Sequence, residues 1–251
     1  MSEFASGPVW LRPAVFVDVP GVVAGFSTRI GGVSKPPFGS LNLSLSTNDD
    51  REAVLENRRR LFAEVGFGLE ELAVAGQVHG NEVASVARAG LYPGMDGLVT
   101  AAPSLLICLS AADCAAVLLA MEDGTVVGAC HAGWRGAAGG IVRVTLERMA
   151  ALGATPERLR AYISPCISAD RFEVGPEVAA RFDKRFVRRD RGERPHVDLR
   201  ACLEAQLVEG GVAPEAIEVS PLCTYSDTAT FFSHRAEQGS TGRMMGYIGR
   251  T

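Results

Sequence analysis

Residues 105–140 read LLICLSAADCAAVLLAMEDGTVVGACHAGWRGAAGG, and the architecture is argued from them. Two apolar runs, 105–109 and 115–120, are separated by a polar corner, Ser110-Ala111-Ala112-Asp113-Cys114. Runs of five and six apolar residues between polar breaks are the length of buried strands. A third run, 125–130, ends at His131 and passes into the glycine-rich segment Gly133-Trp134-Arg135-Gly136. A helix over 140–151 follows, with Ile141, Val142, Leu146 and Met149 on one face. Between 101 and 121 the only charge is Asp113, yet Pro103, Ser104 and Ser110 interrupt the stretch. A membrane helix rarely carries an Asp at mid-span, so buried strands fit better and no membrane partner is expected.

Outward from this centre, the N-terminal part predicts a hairpin of 14–19 and 22–27 about Pro20-Gly21. A Gly/Pro-rich loop, 31–39, precedes a helix over 51–65. Asn48, Asp49 and Asp50 are its cap candidates, and Val54, Leu55, Leu61, Phe62 and Val65 its apolar face. Strands are expected at 72–75 and 82–86. C-terminally, Thr155-Pro156-Glu157 reads as a helix start, 160–163 as a strand and 176–182 as a short helix. Residues 199–208 fit an amphipathic helix stopped by Gly210-Gly211, and 244–248 a last strand. With no repeat and no linker, the chain reads as one α+β domain over 1–251, with mixed β-sheets and helices outside them.

The 251 residues carry 25 Lys+Arg against 29 Asp+Glu, a net charge of −4. That balance gives no reason to expect a nucleic-acid partner, and the charged run 184–194 reads as a solvated loop. Residues 1–8 lack the basic and apolar regions of a secretory leader. The cysteines, Cys108, Cys114, Cys130, Cys166, Cys202 and Cys223, are widely spaced. Free thiols and a cytoplasmic setting are therefore expected, in a monomer or weak homo-oligomer.

Histidine is scarce: His79, His131, His196 and His234. His79 lies between two predicted strands, His131 at a strand end before glycines, and Cys114 at the polar corner. Two imidazoles and a thiolate make a three-donor set for zinc that leaves a fourth position vacant. Their separations, 114 − 79 = 35 and 131 − 114 = 17 residues, match no local metal motif. The same residues fit a buried thiol and two hydrogen-bonded histidines. The glycines around Arg135 could aim N–H groups at an anion, with Arg135 gripping it, or form a plain turn. Trp134 could stack on a base or simply pack. Arg29, Asn42, Gln77, Asp96, Asp113, Glu173, Asp227 and Arg243 stand in turn-like contexts that suit caps and surface groups equally well. His196, before Asp198, reads as structural.

Taken in order, these segments resemble the YfiH family, also called the laccase-domain or polyphenol-oxidase family. The resemblance is carried by FSTRIGGVS (26–34), SLNL (40–43), QVHG (77–80), DGLVT (96–100), ADC (112–114), HAGWRG (131–136) and FEVG (172–175). It continues through CTY (223–225), FFSHR (231–235) and GRM (242–244), and so spans almost the whole chain. It implies a layered sandwich of mixed sheets flanked by helices, related to Cys–His deamidase toxins. It also implies zinc on His79, Cys114 and His131, with copper as a competing metal. Purine nucleoside phosphorolysis with adenosine deamination is the activity it implies, with nucleoside and phosphate as partners. Two departures bear on substrate preference. Ala115-Ala116 stands where the family often has Leu-Pro, and His234-Arg235-Ala236 where it commonly has Tyr-Arg-Arg. A true multicopper mechanism is excluded by arithmetic, because four histidines cannot fill its ligand set.

On this reading Cys114 and His131 stand at the catalytic centre. Zinc would activate water for attack on purine C6, and Asp113 or Glu173 would carry the proton. Arg135 and its glycine-rich loop would hold phosphate near ribose C1′, with Arg29, Asn42 and Gln77 as further substrate contacts. The alternatives are a metal-free hydrolase or deamidase with Cys114 as nucleophile and His131 as base, and a nucleoside- or metal-binding module without turnover.

Overall fold

A computed structural model describes residues 7–190 and 192–251; residues 1–6, within the stretch read above for a leader, and residue 191, in the charged run, lie outside the described residues. In chain order the strands and helices are β1 (Trp10–Leu11), β2 (Val22–Ser27), α1 (Arg51–Glu64), β3 (Leu72–Ala75), β4 (Val83–Ser85), β5 (Gly90–Tyr92) and β6 (Gly97–Thr100). The central run supplies β7 (Leu105–Ala111), β8 (Ala115–Met121) and β9 (Val127–Ala132), then α2 (Trp134–Ala138) and α3 (Ile141–Ala150). The remainder gives β10 (Leu159–Ile163), α4 (Pro176–Ala179), β11 (Val187–Arg188), β12 (His196–Val197), α5 (Leu199–Glu209), β13 (Ile217–Val219) and β14 (Met244–Arg250).

Two mixed six-stranded sheets result, ordered β1-β2-β14-β7-β3-β5 and β13-β10-β8-β9-β6-β4. β7 and β8, consecutive in sequence, belong to different sheets, so the corner at Asp113-Cys114 crosses from one to the other. Side-chain alternation explains why both runs read as continuously apolar. In β7, Leu105, Ile107 and Leu109 enter the core between the sheets, whereas Leu106 and Cys108 face a smaller core under α1. In β8, Ala116, Leu118 and Ala120 face the inter-sheet core. Ala115, Val117, Leu119 and Met121 face the core beneath α3 and α5. The architecture is helix, sheet, sheet, helix: the layered α+β sandwich expected from the sequence. Among the described residues no helix is long and apolar enough to cross a membrane. All six cysteines are free.

Some expectations are corrected. Residues 14–16 form a 3₁₀ turn, so β2 has no hairpin partner there; it pairs with β1 and β14 instead. The helix start at Thr155-Pro156 gives only a 3₁₀ turn, Pro156–Arg158. The glycine-rich segment after His131 contains a helical turn, α2, before Gly140 takes a left-handed φ of 74° and starts α3. Helix α1 has the expected extent and the Asp50 cap, but its buried face includes Asn57 and Arg58 with Val54, Leu61 and Phe62. Asn57 explains part of that polarity. Its amide binds Val33 N–H, Ser34 Oγ and the carbonyls of Ser40 and Asn42, tying the Gly/Pro-rich loop to the helix.

Candidate metal centre and its cavity

Three loops at one end of the sandwich bring His79, Cys114 and His131 together, with one donor atom from each within 4.8 Å of the others. His131 is the penultimate residue of β9 and buried, Cys114 immediately precedes β8 and is half-buried, and His79 is exposed on the β3–β4 connection. Two of these loops are held in left-handed backbone, at His79 (φ 60°) and at Asp113 (φ 80°), just before Cys114. Non-glycine residues persist there only where neighbours hold them. Each loop is held by a buried carboxylate.

The first is Asp96, fully buried in the turn before β6. Its oxygens accept the N–H groups of Val78 (3.0 Å), His79 (3.0 Å) and Gly80 (2.7 Å), fixing the His79 loop. Oδ1 also contacts His131 Nδ1 at 2.9 Å, which leaves Nε2 as that ring's free donor atom. Carboxylate–imidazole pairs of this kind orient metal-binding histidines. Burial works against the Asp96 charge, but the His131 contact and the Gly80 and Val78 amides outweigh it and lower the pKa. The second carboxylate is Asp113. It accepts from Thr224 Oγ1 (2.7 Å), Ser233 Oγ (2.8 Å) and the Arg235 amide (2.7 Å), drawing residues 224–235 over the corner.

Burial raises the cost of ionising Cys114, yet the charge of His131 and hydrogen bonds to His131 and His79 overcome it and bring the thiol to about 6. Burial likewise disfavours the His131 cation, but the Cys114 charge and Asp96 raise that pKa to about 9. Each thus favours the charged form of the other, biasing Cys114 towards thiolate and His131 towards imidazolium. Gly133 completes the cluster, since a Cβ there would lie 2.9 Å from Cys114 Sγ and 3.4 Å from His79 Nδ1. Two imidazoles and an easily ionised thiol, with Asp96 behind one ring, fit a zinc-like divalent ion.

The three donors open onto a cavity of ≈ 470 Å³, within the usual range for small-molecule sites. Arg135, Arg235 and Arg243 line it, with His234, Trp134 and Phe172. Gln77 also lines it and is locked by two hydrogen bonds to the backbone of Ser110, both 2.7 Å. Arg135 lies over the Trp134 ring, 4.4 Å from its centre. Among the described residues, Asp113 is the one acidic residue of the lining.

The other residues singled out in the sequence lie away from this cavity. Glu173 is exposed and pairs with Arg194 at 3.5 Å. Arg29 donates to the carbonyls of Gly39 (3.0 Å) and Thr228 (2.7 Å) and pairs with Glu237 at 3.1 Å. Asn42, fully buried, binds Thr47, Asp49 and the Arg243 amide, so it braces the Arg243 backbone from behind. Arg235 and His234, by contrast, reach the cavity without having been singled out by residue type. They belong to a segment without helix or strand, so periodicity could not place them.

Fold and site thus define a two-sheet α+β protein with a His-Cys-His centre in a cationic, aromatic cavity. A family model described as multi-copper polyphenol oxidoreductase laccase matches residues 23–251, and the chain belongs to that family, to which the YfiH proteins it resembles correspond. It is 42% identical over 227 residues to a protein of Deinococcus radiodurans named purine nucleoside phosphorylase, covering 89% of this chain and 87% of that protein. It is 36% identical to a Geobacillus stearothermophilus protein named purine nucleoside phosphorylase YlmD, covering 96% and 94% of the two chains. The crystal structure of YlmD from that organism superposes with a TM-score of 0.90 at 35% identity, over 99% of this chain and 98% of that one.

Proposed function

We propose that the protein is a purine nucleoside phosphorylase with adenosine deaminase activity, working on zinc held by His79, Cys114 and His131. The observation that carries this reading is that one cavity joins the His-Cys-His group to three guanidinium groups and two aromatic rings. The names of similar proteins from Deinococcus and Geobacillus agree with it. Phosphate needs dense cationic recognition, which Arg135, Arg235 and Arg243 provide. A purine needs an aromatic face and in-plane partners, which Trp134, Phe172 and Gln77 provide.

In phosphorolysis a phosphate oxygen bonds to ribose C1′, the bond from C1′ to the base breaks, and its electron pair leaves with the purine. The arginines hold the attacking oxygen in line and offset its charge, which is catalysis by positioning and electrostatics. Zinc held by His79, Cys114 and His131 would supply Lewis acidity, which suits deamination of purine C6 by water. Copper would compete for the same donors. Of the two carboxylates considered as proton carriers, Asp113 stands at the cavity and Glu173 does not. Three donors already engage Asp113, so its first role is to hold the Cys114 corner. Arg29 and Asn42 act as braces behind the site.

The experiment is incubation of purified protein with adenosine, with and without phosphate, followed by chromatography. Adenine and ribose 1-phosphate are expected only with phosphate, inosine in both conditions, and neither product from Cys114→Ala. Absence of both products from the native protein, or an unchanged Cys114→Ala variant, contradicts the reading.

The contact of Cys114 with His131, with Asp96 behind that ring, favours a second reading, a metal-free hydrolase with Cys114 as nucleophile and His131 as base. It requires full activity after metal removal and inactivation by alkylation of Cys114. The zinc reading requires protection of that thiol by the metal.

A further inference from the structure

Ser46, Gln77 and Ser110 form a wall of the His-Cys-His cavity, and beyond them lies a larger groove of ≈ 800 Å³. It runs between α1 and the edge of the first sheet, with Leu55 of α1, Leu72 and Val74 of β3 and Leu91 of the edge strand β5 in its lining. One cation is set into this apolar surface: Arg58 of α1, only 9% exposed. Its Nε donates to the Leu43 carbonyl at 2.7 Å. Among the described residues no carboxylate pairs with its guanidinium; the titratable groups that act on it are the buried Cys108 thiol and Arg51, the latter of like sign. Burial pushes its pKa down, Cys108 opposes this and Arg51 adds to it, but an arginine stays charged at neutral pH. A buried charge with no opposite charge is strongly unfavourable, so such groups are normally paired.

We propose that this groove is a second ligand site, taking a small monocarboxylate with an apolar body: the carboxylate pairs with the free end of Arg58 and the body lies along Leu72, Val74 and Leu91. The charge count selects that chemistry. The neighbouring cavity gathers three arginines, which suits a phosphate dianion. Among the described residues this groove offers one arginine, and its one acidic lining residue, Glu70, folds back over Gly68. A single charge on a hydrocarbon body matches a single guanidinium set among leucines and valines.

Calorimetric titration of the intact protein with octanoate, octan-1-ol and inorganic phosphate tests the proposal. Octanoate is expected to bind one per chain, at least tenfold tighter than octan-1-ol, and phosphate is expected not to displace it. Arg58→Met should weaken octanoate at least tenfold and leave octan-1-ol unchanged, with Arg58→Lys in between. Leu91→Glu, at an exposed edge position, should weaken octanoate by repulsion and serves should the Arg58 variants fold poorly. Equal binding of the two octyl probes, indifference of octanoate to Arg58→Met, or competition by phosphate overturns the proposal. So does a dimer in sedimentation that Leu91→Glu dissociates, since a second copy would then fill the groove.

Discussion

At the scale of single residues the site depends on a few atoms behind the donors. Asp96 fixes the His131 ring through Nδ1 and the His79 loop through three amides. Asp96→Asn keeps the size but removes the charge, and losses of metal affinity from such partners run about 10–100-fold. Competition with a chelator should show a loss in that range; an unchanged affinity would mean that Asp96 does not orient the ligands. Cys114 should also titrate low in the metal-free protein. A thiol brought from 9.0 to about 6 is protonated and slow below that value and ionised above it. Iodoacetamide alkylation should therefore rise with a midpoint near pH 6; a midpoint near 9 would mean that His131 and His79 do not act on it. Gly133→Ala would press a methyl group against Cys114 Sγ, so metal should be lost while the fold survives.

At the scale of elements, β8 starts directly after Cys114 and buries side chains on both faces. Leu118 is fully buried between the sheets. Leu118→Ala should cost about 2–5 kcal/mol in denaturant unfolding, the usual range for a buried leucine cut to alanine. A much smaller loss would mean that the inter-sheet core does not clamp this strand. The strands 105–111 and 115–121 were legible in the sequence because complete burial leaves an unbroken apolar run. Their placement in different sheets was not, because it turns on the left-handed backbone at Asp113, which residue type does not announce. α2 was hidden by its glycines. Residues 14–19 looked like a strand on β-branched content alone, whereas in the structure β1 and β14 occupy both sides of β2.

For the whole molecule, the site exists because distant segments meet at one end of the two sheets. His79, Cys114 and His131 could be nominated from scarcity of histidine and from glycine-flanked strand ends, and the family likeness joined them. Asp96 stands in the sequence only as a turn residue; its role could not be read, since its partner lies 131 − 96 = 35 residues away and the pairing follows from β6 lying beside β9. His234, one of the departures noted in the sequence, falls on the cavity wall beside Arg235. The most direct measurement of the central claim is elemental analysis of the purified protein and of Cys114→Ala. One zinc per native chain, reduced to near zero in the variant, is the predicted result. A native protein without bound metal, or a variant that keeps all of it, would contradict the account.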